Sequence, residues 1–204
     1  MNSGIQKAIQ LLKQENEALK EENEALQAYM ESMAALYRAT RTIASQDNLM
    51  KLLDEILYQA IVITRADHGS LLLLDDETDE LVFVMVHGDY RQSLQGYRMK
   101  ADQGIAGWVV QHSEPLIVNH ARFDPRFSSE VDRTFGLTTR KILAVPLTYA
   151  DRTLGVIELV NKQDGSDFTD SDATILGLLG IFAAISLDQL DRRLEEEEKA
   201  AEAS

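Results

Sequence analysis

The 204-residue chain has no cysteine, which excludes disulfides, thiolate nucleophiles, thiolate metal sites and thioether-linked chromophores together. A reducing compartment suits it. Basic residues are also scarce, with 20 Lys and Arg against 34 Asp and Glu and a net charge of −14. That field repels phosphate backbones and anionic lipid heads, so nucleic acid and membrane surfaces are poor partners. The opening residues MNSGIQKAIQ lack the apolar run of a signal peptide. The longest apolar stretch, Ile175 to Leu187, is broken by glycine and reads as too short to span a bilayer. The expectation is a soluble, cytoplasmic protein. At 45% apolar residues, the chain can bury one good core with appended helices.

What is present begins with a heptad. Ile5, Leu12, Leu19, Leu26 and Met33 fall at d, and Ile9, Asn16, Asn23, Met30 and Tyr37 at a. Leucine at d with asparagine at a predicts a parallel two-stranded coiled coil, because a buried amide finds its counterpart only in register. Glu15 at g can reach Lys20 at e of the partner. A lone amphipathic helix packed on its own domain would show a wider apolar face. Ser45, Asp47 and Asn48 offer caps for a second helix with a broad stripe from Leu49 to Ile61.

Two strands are expected at 70–75 and 81–87, joined by the acidic connector DETDE, and two more at 141–149 and 153–162. Pro146 implies a bulge or an edge in the third. Between the hairpins, residues 90–140 are richer in Gly, Pro, Asp, Ser and Arg, the composition of a site-building segment. A last helix starts near Thr169 and keeps an apolar face to Leu194, then gives way to the charge run EEEEKAAEAS, read as a solvated end. Hairpins segregated from terminal helices predict an antiparallel α+β sheet covered by helices. The expected divisions are 1–43, a dimerisation helix; 44–190, the folded domain; and 191–204, an acidic helical extension or tail.

Chemistry is limited mostly by absences. His68, His87, His112 and His120 are scattered, and the one local group, His112, His120 and Asp124, fits no metal-ligand spacing. The stretch DQGIAGW at 102–108 has no lysine where a phosphate loop needs one, and no Gly-x-Ser-x-Gly elbow occurs. No catalytic residue, metal site or required cofactor is expected. In DQGIAGW, Asp102 can cap a helix whose free amides near Ile105 and Ala106 attract an anionic oxygen. Close packing at Gly104 and Gly107 explains the same residues, and the two roles are compatible.

In sequence and in order, GSLLLLDDETDELVF, ADQGIAGWVVQHSEPLIVN, TRKILAVPL and LGVIELVNKQDGSDFTDSD resemble the GAF domains of cyclic-nucleotide phosphodiesterases, bacterial adenylyl cyclases and sensor kinases. The resemblance covers residues 45 to 190. It implies a six-stranded antiparallel sheet, with terminal helices on one face for dimer contacts and a small-molecule pocket on the other. It also implies a sensory module. The methionine sulfoxide reductase that shares this fold works through cysteines, which this chain lacks.

In the nucleotide-binding relatives an Asn-Lys pair, a Phe, and an Asp-Glu pair form a signature near the pocket. Asn161, Lys162, Phe168 and Asp172 match it, and Ala173 replaces the final Glu. A local cap, with Thr169 at the N-cap and Asp172 as reciprocal partner, accounts for Asp172 but not for Asn161 and Lys162. A structural clamp beside a pocket is therefore expected. Carried over by position, base and ribose contacts fall on Ser70, His87, Asp132, Thr139 and Glu158, with phosphate amides at Ile105 and Ala106. Val86 stands where relatives stack an aromatic ring, and Phe135 stands where they carry a hydroxyl. Phe135 could replace the stack or fill the cavity. Without a ligand role, Ser70 would open a strand, Asp132 and Thr139 would sit at turns or edges, and Glu158 would face solvent.

Three functions compete on this sequence: a homodimeric sensor of a small molecule such as cyclic AMP or cyclic GMP, a ligand-free GAF dimer acting as a scaffold, and an enzyme with an unrecognised site. No kinase, cyclase, phosphodiesterase or DNA-binding segment fits the remaining residues. Either the sequence is a piece of a longer protein, or output is expected to pass through helical arms to a separate signalling protein.

Overall fold

The computed structural model describes residues 46–202 and four isolated helical positions, Gln10, Lys13, Asn16 and Lys20, all exposed. Apart from Asn16 and Lys20, the predicted heptad and its parallel pairing lie outside the described residues, as does the cap expected at Ser45.

Helix α1 (Gln46–Thr64) forms where the apolar stripe was read. Leu49, Leu52, Leu53, Ile56, Leu57 and Ala60 are buried at helical spacing along one side. At its end Thr64 Oγ1 donates to the Ala60 carbonyl at 2.7 Å, and Arg65 turns the chain with φ of 55°. The sheet then starts at once with β1 (Ala66–Asp75) and β2 (Glu80–His87). Asp75 holds the acidic turn between them by accepting from the amides of Glu77 and Thr78. A short α2 (Arg91–Leu94) leads to β3 (Arg98–Lys100), then α3 (Gly104–His112), β4 (Leu116–Val118) and a 3-10 turn at Ala121–Phe123. After α4 (Glu130–Phe135) come β5 (Ile142–Tyr149), β6 (Arg152–Lys162) and the long α5 (Asp170–Glu202).

The six strands form one antiparallel sheet in the order β3-β2-β1-β6-β5-β4. Its centre is the β1–β6 pair. A Cβ on Gly155 would lie 2.1 Å from the Leu72 carbonyl oxygen, so β6 can approach β1 this closely only with glycine there. Pro146 pairs with Val156 inside β5, but β4 pairs with β5 only from Ile142 to Ala144, and a register shift follows at Leu147/Thr148. Pro146 thus lies where the outer side of β5 is unpaired, the edge anticipated for it, and the bulge falls one residue further on. The two-residue turn Ala150–Asp151 has positive φ at both positions, the geometry that matches the twist of a tight hairpin.

Helices α1 and α5 pack against one sheet face and against each other. Leu176, Leu179, Ala183 and Ala184 of α5 are fully buried. The acidic run continues α5 to Glu202 as a helical extension, one of the two forms expected of it. One expectation about α5 needs correction, because its apolar portion is longer than the Ile175–Leu187 run: Asp170–Leu194 is long and apolar enough to cross a membrane. Packing on the sheet accounts for part of that apolar surface, 39% of its most apolar stretch being buried within the fold, while Leu178, Ile181 and Leu194 stay exposed. The opposite sheet face carries a second core, in which Leu72, Phe83, Val86 and Val156 meet Ile105, Ala106 and Val109 of α3.

Candidate functional site

Strand alternation places His68, Ser70 and Leu72 of β1 on the face away from α1, beside Val156, Glu158 and Val160 of β6. Ser70 stands opposite Glu158 on one side and Val86 on the other. Over this floor lie the start of α3, the segment after β2, and residues 127–139. Together they enclose a cavity of about 80 Å³.

Eight of the nine expected ligand contacts line it: Ser70, Val86, His87, Ile105, Ala106, Asp132, Thr139 and Glu158. The ninth does not. Phe135 packs edge-on against Tyr97 at 5.0 Å between ring centres, outside the wall. Trp108 is also outside, stacked on His112 at 4.2 Å with the Arg126 guanidinium 4.9 Å from its ring. Neither ring plugs the cavity. The aromatic residues that do line it are Phe83, Tyr90 and Phe127, together with His68. These went unread in the sequence, although His68 shares a strand face with Ser70 and alternation could have found it.

Glu158 does not face bulk solvent. Among the described residues its carboxyl has neither an ion pair nor a hydrogen bond, and its cross-strand neighbours are Ser70 and Ala144. Burial alone pushes it up to about 7. The residue is half-buried and lines the cavity, so its remaining exposure coexists with a poorly hydrated carboxyl.

The start of α3 differs from the expected cap. Gln103, not Asp102, is the N-cap, and no side chain caps the helix. Gln103 instead donates across to Ser128 Oγ at 3.0 Å and to the Glu130 carboxylate. The first helical backbone bond runs from Gly107 N–H to the Gln103 carbonyl. The N–H groups of buried Ile105 and Ala106 therefore have no backbone acceptor among the described residues, and both residues line the cavity at the positive end of the helix. Gly107 packs tightly beneath, since a Cβ there would meet the Asp102 carbonyl carbon at 2.5 Å.

Asp132 is occupied by Thr139, whose N–H and Oγ1 donate to it at 2.9 and 2.6 Å. The pair closes the loop over the cavity. His87 reaches the wall but turns its ring away: Nε2 lies 2.8 Å from Asp54 Oδ1 on α1, and Tyr58 of the same helix stands beside the ring. Alternation explains this, because His87 pairs with Gly69, whose missing side chain faces Ile61 and Leu57 of α1. A direct ligand contact by the His87 imidazole is thus not available in this arrangement.

The clamp residues converge beside the site. Lys162 Nζ lies 2.8 Å from Asp172 Oδ2 and 5.5 Å from the centre of the Phe168 ring. Asp172 also accepts from Thr169 N–H and Oγ1, while its own N–H donates to Thr169 Oγ1, which completes a reciprocal cap on α5. Asn161, at φ of 57°, accepts from the Arg140 and Lys141 amides and donates to the Thr138 carbonyl. It thereby anchors the strand entry next to Thr139. Asn119 adds a two-way bond to the Phe168 backbone. None of the four clamp residues lines the cavity.

Among the described residues no group of three His, Asp or Glu is placed to hold a metal ion. Asp124 is bonded to Arg126, which holds its carboxyl below the usual range, and His112 is bonded to the Trp108 carbonyl.

The profile of the GAF domain matches residues 48–187. The probable 3',5'-cyclic phosphodiesterase pde-5 of Caenorhabditis elegans is 32% identical over 131 residues, covering 60% of this chain and 18% of that protein. The chain therefore spans less than a fifth of that relative. Among solved structures, the GAF domain of the phosphoenolpyruvate-protein phosphotransferase of Coxiella burnetii superposes with a TM-score of 0.70 at 18% identity, covering 81% of this chain and 95% of that one. The free methionine-R-sulfoxide reductase of Neisseria meningitidis, solved with its substrate, gives 0.64 at 18% identity and covers 78% and 88%. At these identities the two structures are similar in fold.

Proposed function

The chain belongs to the GAF-domain family, and from that premise we propose that it is a non-catalytic, homodimeric sensory module whose cavity takes a small planar ligand bearing an anionic group. Cyclic AMP and cyclic GMP are the leading cases. The carrying observation is the pairing, in one cavity, of the acceptor-free Ile105 and Ala106 amides with the partnerless Glu158. Amides at the positive end of a helix suit an anionic oxygen. Glu158 and Ser70 suit a base edge: near neutral pH this carboxyl can accept from a ring N–H when ionised and donate when protonated.

The cavity's 80 Å³ falls below the roughly 300 Å³ at which ligand pockets begin, so binding requires a wall to move. The same small volume favours the second reading, a ligand-free scaffold. For signalling, the route runs from the end of β2, where Val86 faces the cavity and His87 is bonded to Asp54, into α1. Exposed Tyr58 and Val62 on α1 and Leu178 and Ile181 on α5 offer apolar surface for a second copy, in addition to the heptad.

The test is a melting screen of the full chain with cyclic AMP, cyclic GMP and inorganic phosphate, run beside a turnover assay on the same nucleotides. A melting shift with unchanged nucleotide supports the sensor. Absence of any shift favours the scaffold, and nucleotide consumption refutes both.

A further inference from the structure

The floor of the cavity cannot supply the missing room, because β1 and β6 are interior strands held by neighbours on both sides. The wall formed by residues 88–96 is different. It leaves the sheet at Gly88, with φ of 110°, and rejoins it at Gly96, with φ of 84°, where Gly96 N–H donates to the Phe83 carbonyl at 2.7 Å. Between these glycines Tyr90 and Leu94 point their side chains into the wall, while Arg91, Gln92 and Ser93 are exposed.

Leu94 is buried in the core below and Gln95 Nε2 donates to the Val84 carbonyl at 3.3 Å, but two features act against the closed position. Tyr90 O–H reaches the Gly136 carbonyl on the far side of the opening at 3.4 Å, a long bond. Under Gly88, His68 Nδ1 is buried with no hydrogen-bond partner, so close to the glycine that a Cβ there would lie 2.2 Å away. Lifting the segment would let water or a ligand reach that nitrogen, relieving an unpaired polar atom. His68 also meets the Tyr90 ring edge-on at 5.3 Å, which fixes the ring's tilt.

We propose that residues 88–96 are the lid of this cavity, hinged at Gly88 and Gly96, and that Tyr90 is the aromatic wall that closes on the face of a planar heteroaromatic ligand. The proposal rests on the reading of the cavity as a ligand site. Of the other rings in the wall, Phe83 belongs to β2 and is locked in the core against Tyr97, and Phe127 belongs to the 127–139 wall, where its N–H donates to the Asp124 carbonyl at 3.0 Å. Tyr90 is the ring carried by a segment with a glycine at each end.

The experiment compares the full wild-type chain with Tyr90→Phe and Tyr90→Leu by titration with cyclic AMP, cyclic GMP and the non-nucleotide aromatic anion 8-anilinonaphthalene-1-sulfonate, whose naphthalene ring offers a flat face. Melting temperatures of all three proteins check folding. Stacking on an aromatic ring predicts affinity within about twofold for the phenylalanine variant and a loss of about tenfold for the leucine variant. Amide exchange of the unliganded chain should be faster over 89–95 than over β1 and β2, and should slow on binding. If the dye binds in a Tyr90-dependent manner and neither nucleotide does, the lid stands and the nucleotide reading falls. Equal affinity in wild type and Tyr90→Leu overturns the proposal, as does exchange over 89–95 as slow as in the central strands. A wild-type chain that takes none of the three probes overturns it as well.

Discussion

Replacing Asp172 by alanine removes three hydrogen bonds, because its Oδ2 accepts from Lys162 Nζ, Thr169 N–H and Thr169 Oγ1. The side chains of Lys162 and Asp172 are only 12% and 11% exposed, so the ammonium left behind cannot be fully rehydrated. Breaking a buried pair from one side costs about 3 to 5 kcal/mol. The Phe168 ring 5.5 Å from the ammonium stays in place as a cation–π partner, which argues for the lower end, about 3 kcal/mol. For a domain of this size each kcal/mol moves Tm by about 2–4 °C, so the expected fall is about 6–12 °C. Lys162→Met should cost less, about 1 to 2 kcal/mol, since Asp172 keeps its Thr169 donors and its position at the positive end of α5. Chemical denaturation of both single variants and the double variant gives the coupling directly. If Asp172→Ala costs the same with and without Lys162, the strand-to-helix clamp is not an energetic unit and the reasoning fails.

Glu158 gives a pH prediction. Its folded value of about 7 lies above the ordinary 4.5, so the unfolded chain ionises first. Stability should fall as pH rises from about 4.5 to about 7 and then level off, by about 3 kcal/mol at 1.36 kcal/mol per unit. Urea melts at pH 5 and pH 8 should show that slope in wild type and lose it in Glu158→Gln; an unchanged slope would contradict the assignment. In the β5–β6 turn, Ala150 and Asp151 both hold positive φ without being glycine. The pair Ala150→Asn and Asp151→Gly should stabilise by about 1 kcal/mol, and a lower Tm would refute the turn geometry. For the heptad, light scattering should report a dimer of the full chain, and Leu12, Leu19 and Leu26 replaced together by alanine should weaken it at about 2 kcal/mol or more per truncation. A single-chain mass for the wild type at micromolar concentration would end the dimer reading.

The parts of this fold that could be read from sequence were those with a strong local pattern. The stripe of α1, the four long strands and the Thr169 cap each declare themselves within a few residues. By pattern β1 starts at Ser70, because Asp67, His68 and Gly69 are poor strand formers; pairing of this segment with residues 159–162 in the sheet interior overrides that preference. The three-residue strands β3 and β4 carry too little pattern to be seen. At the site, the polar positions carried over from the resemblance share the lining of one cavity, whereas its aromatic wall is built from other residues. Which ring faces the cavity depends on where the loops cross: Phe135 turns to Tyr97, and Tyr90 reaches in from a segment with no periodicity. Glu158 was open to a solvent-facing reading because alternation normally turns a strand carboxylate outward. Here both sheet faces are covered, and the position opposite Ser70 lies in the cavity floor.

Calorimetric titration of the full chain with cyclic AMP and cyclic GMP tests the sensor reading most directly, with Asp132→Ala and Thr139→Ala as controls for the site. The account predicts one saturable binding event per chain, a stabilisation of about 2.7 kcal/mol at a hundred times the dissociation constant, and weaker binding in both variants, because the Asp132–Thr139 pair closes the loop over the cavity. Saturable binding that is unchanged in both variants would place the ligand elsewhere, and no heat with either nucleotide at millimolar concentration would contradict the cyclic-nucleotide reading.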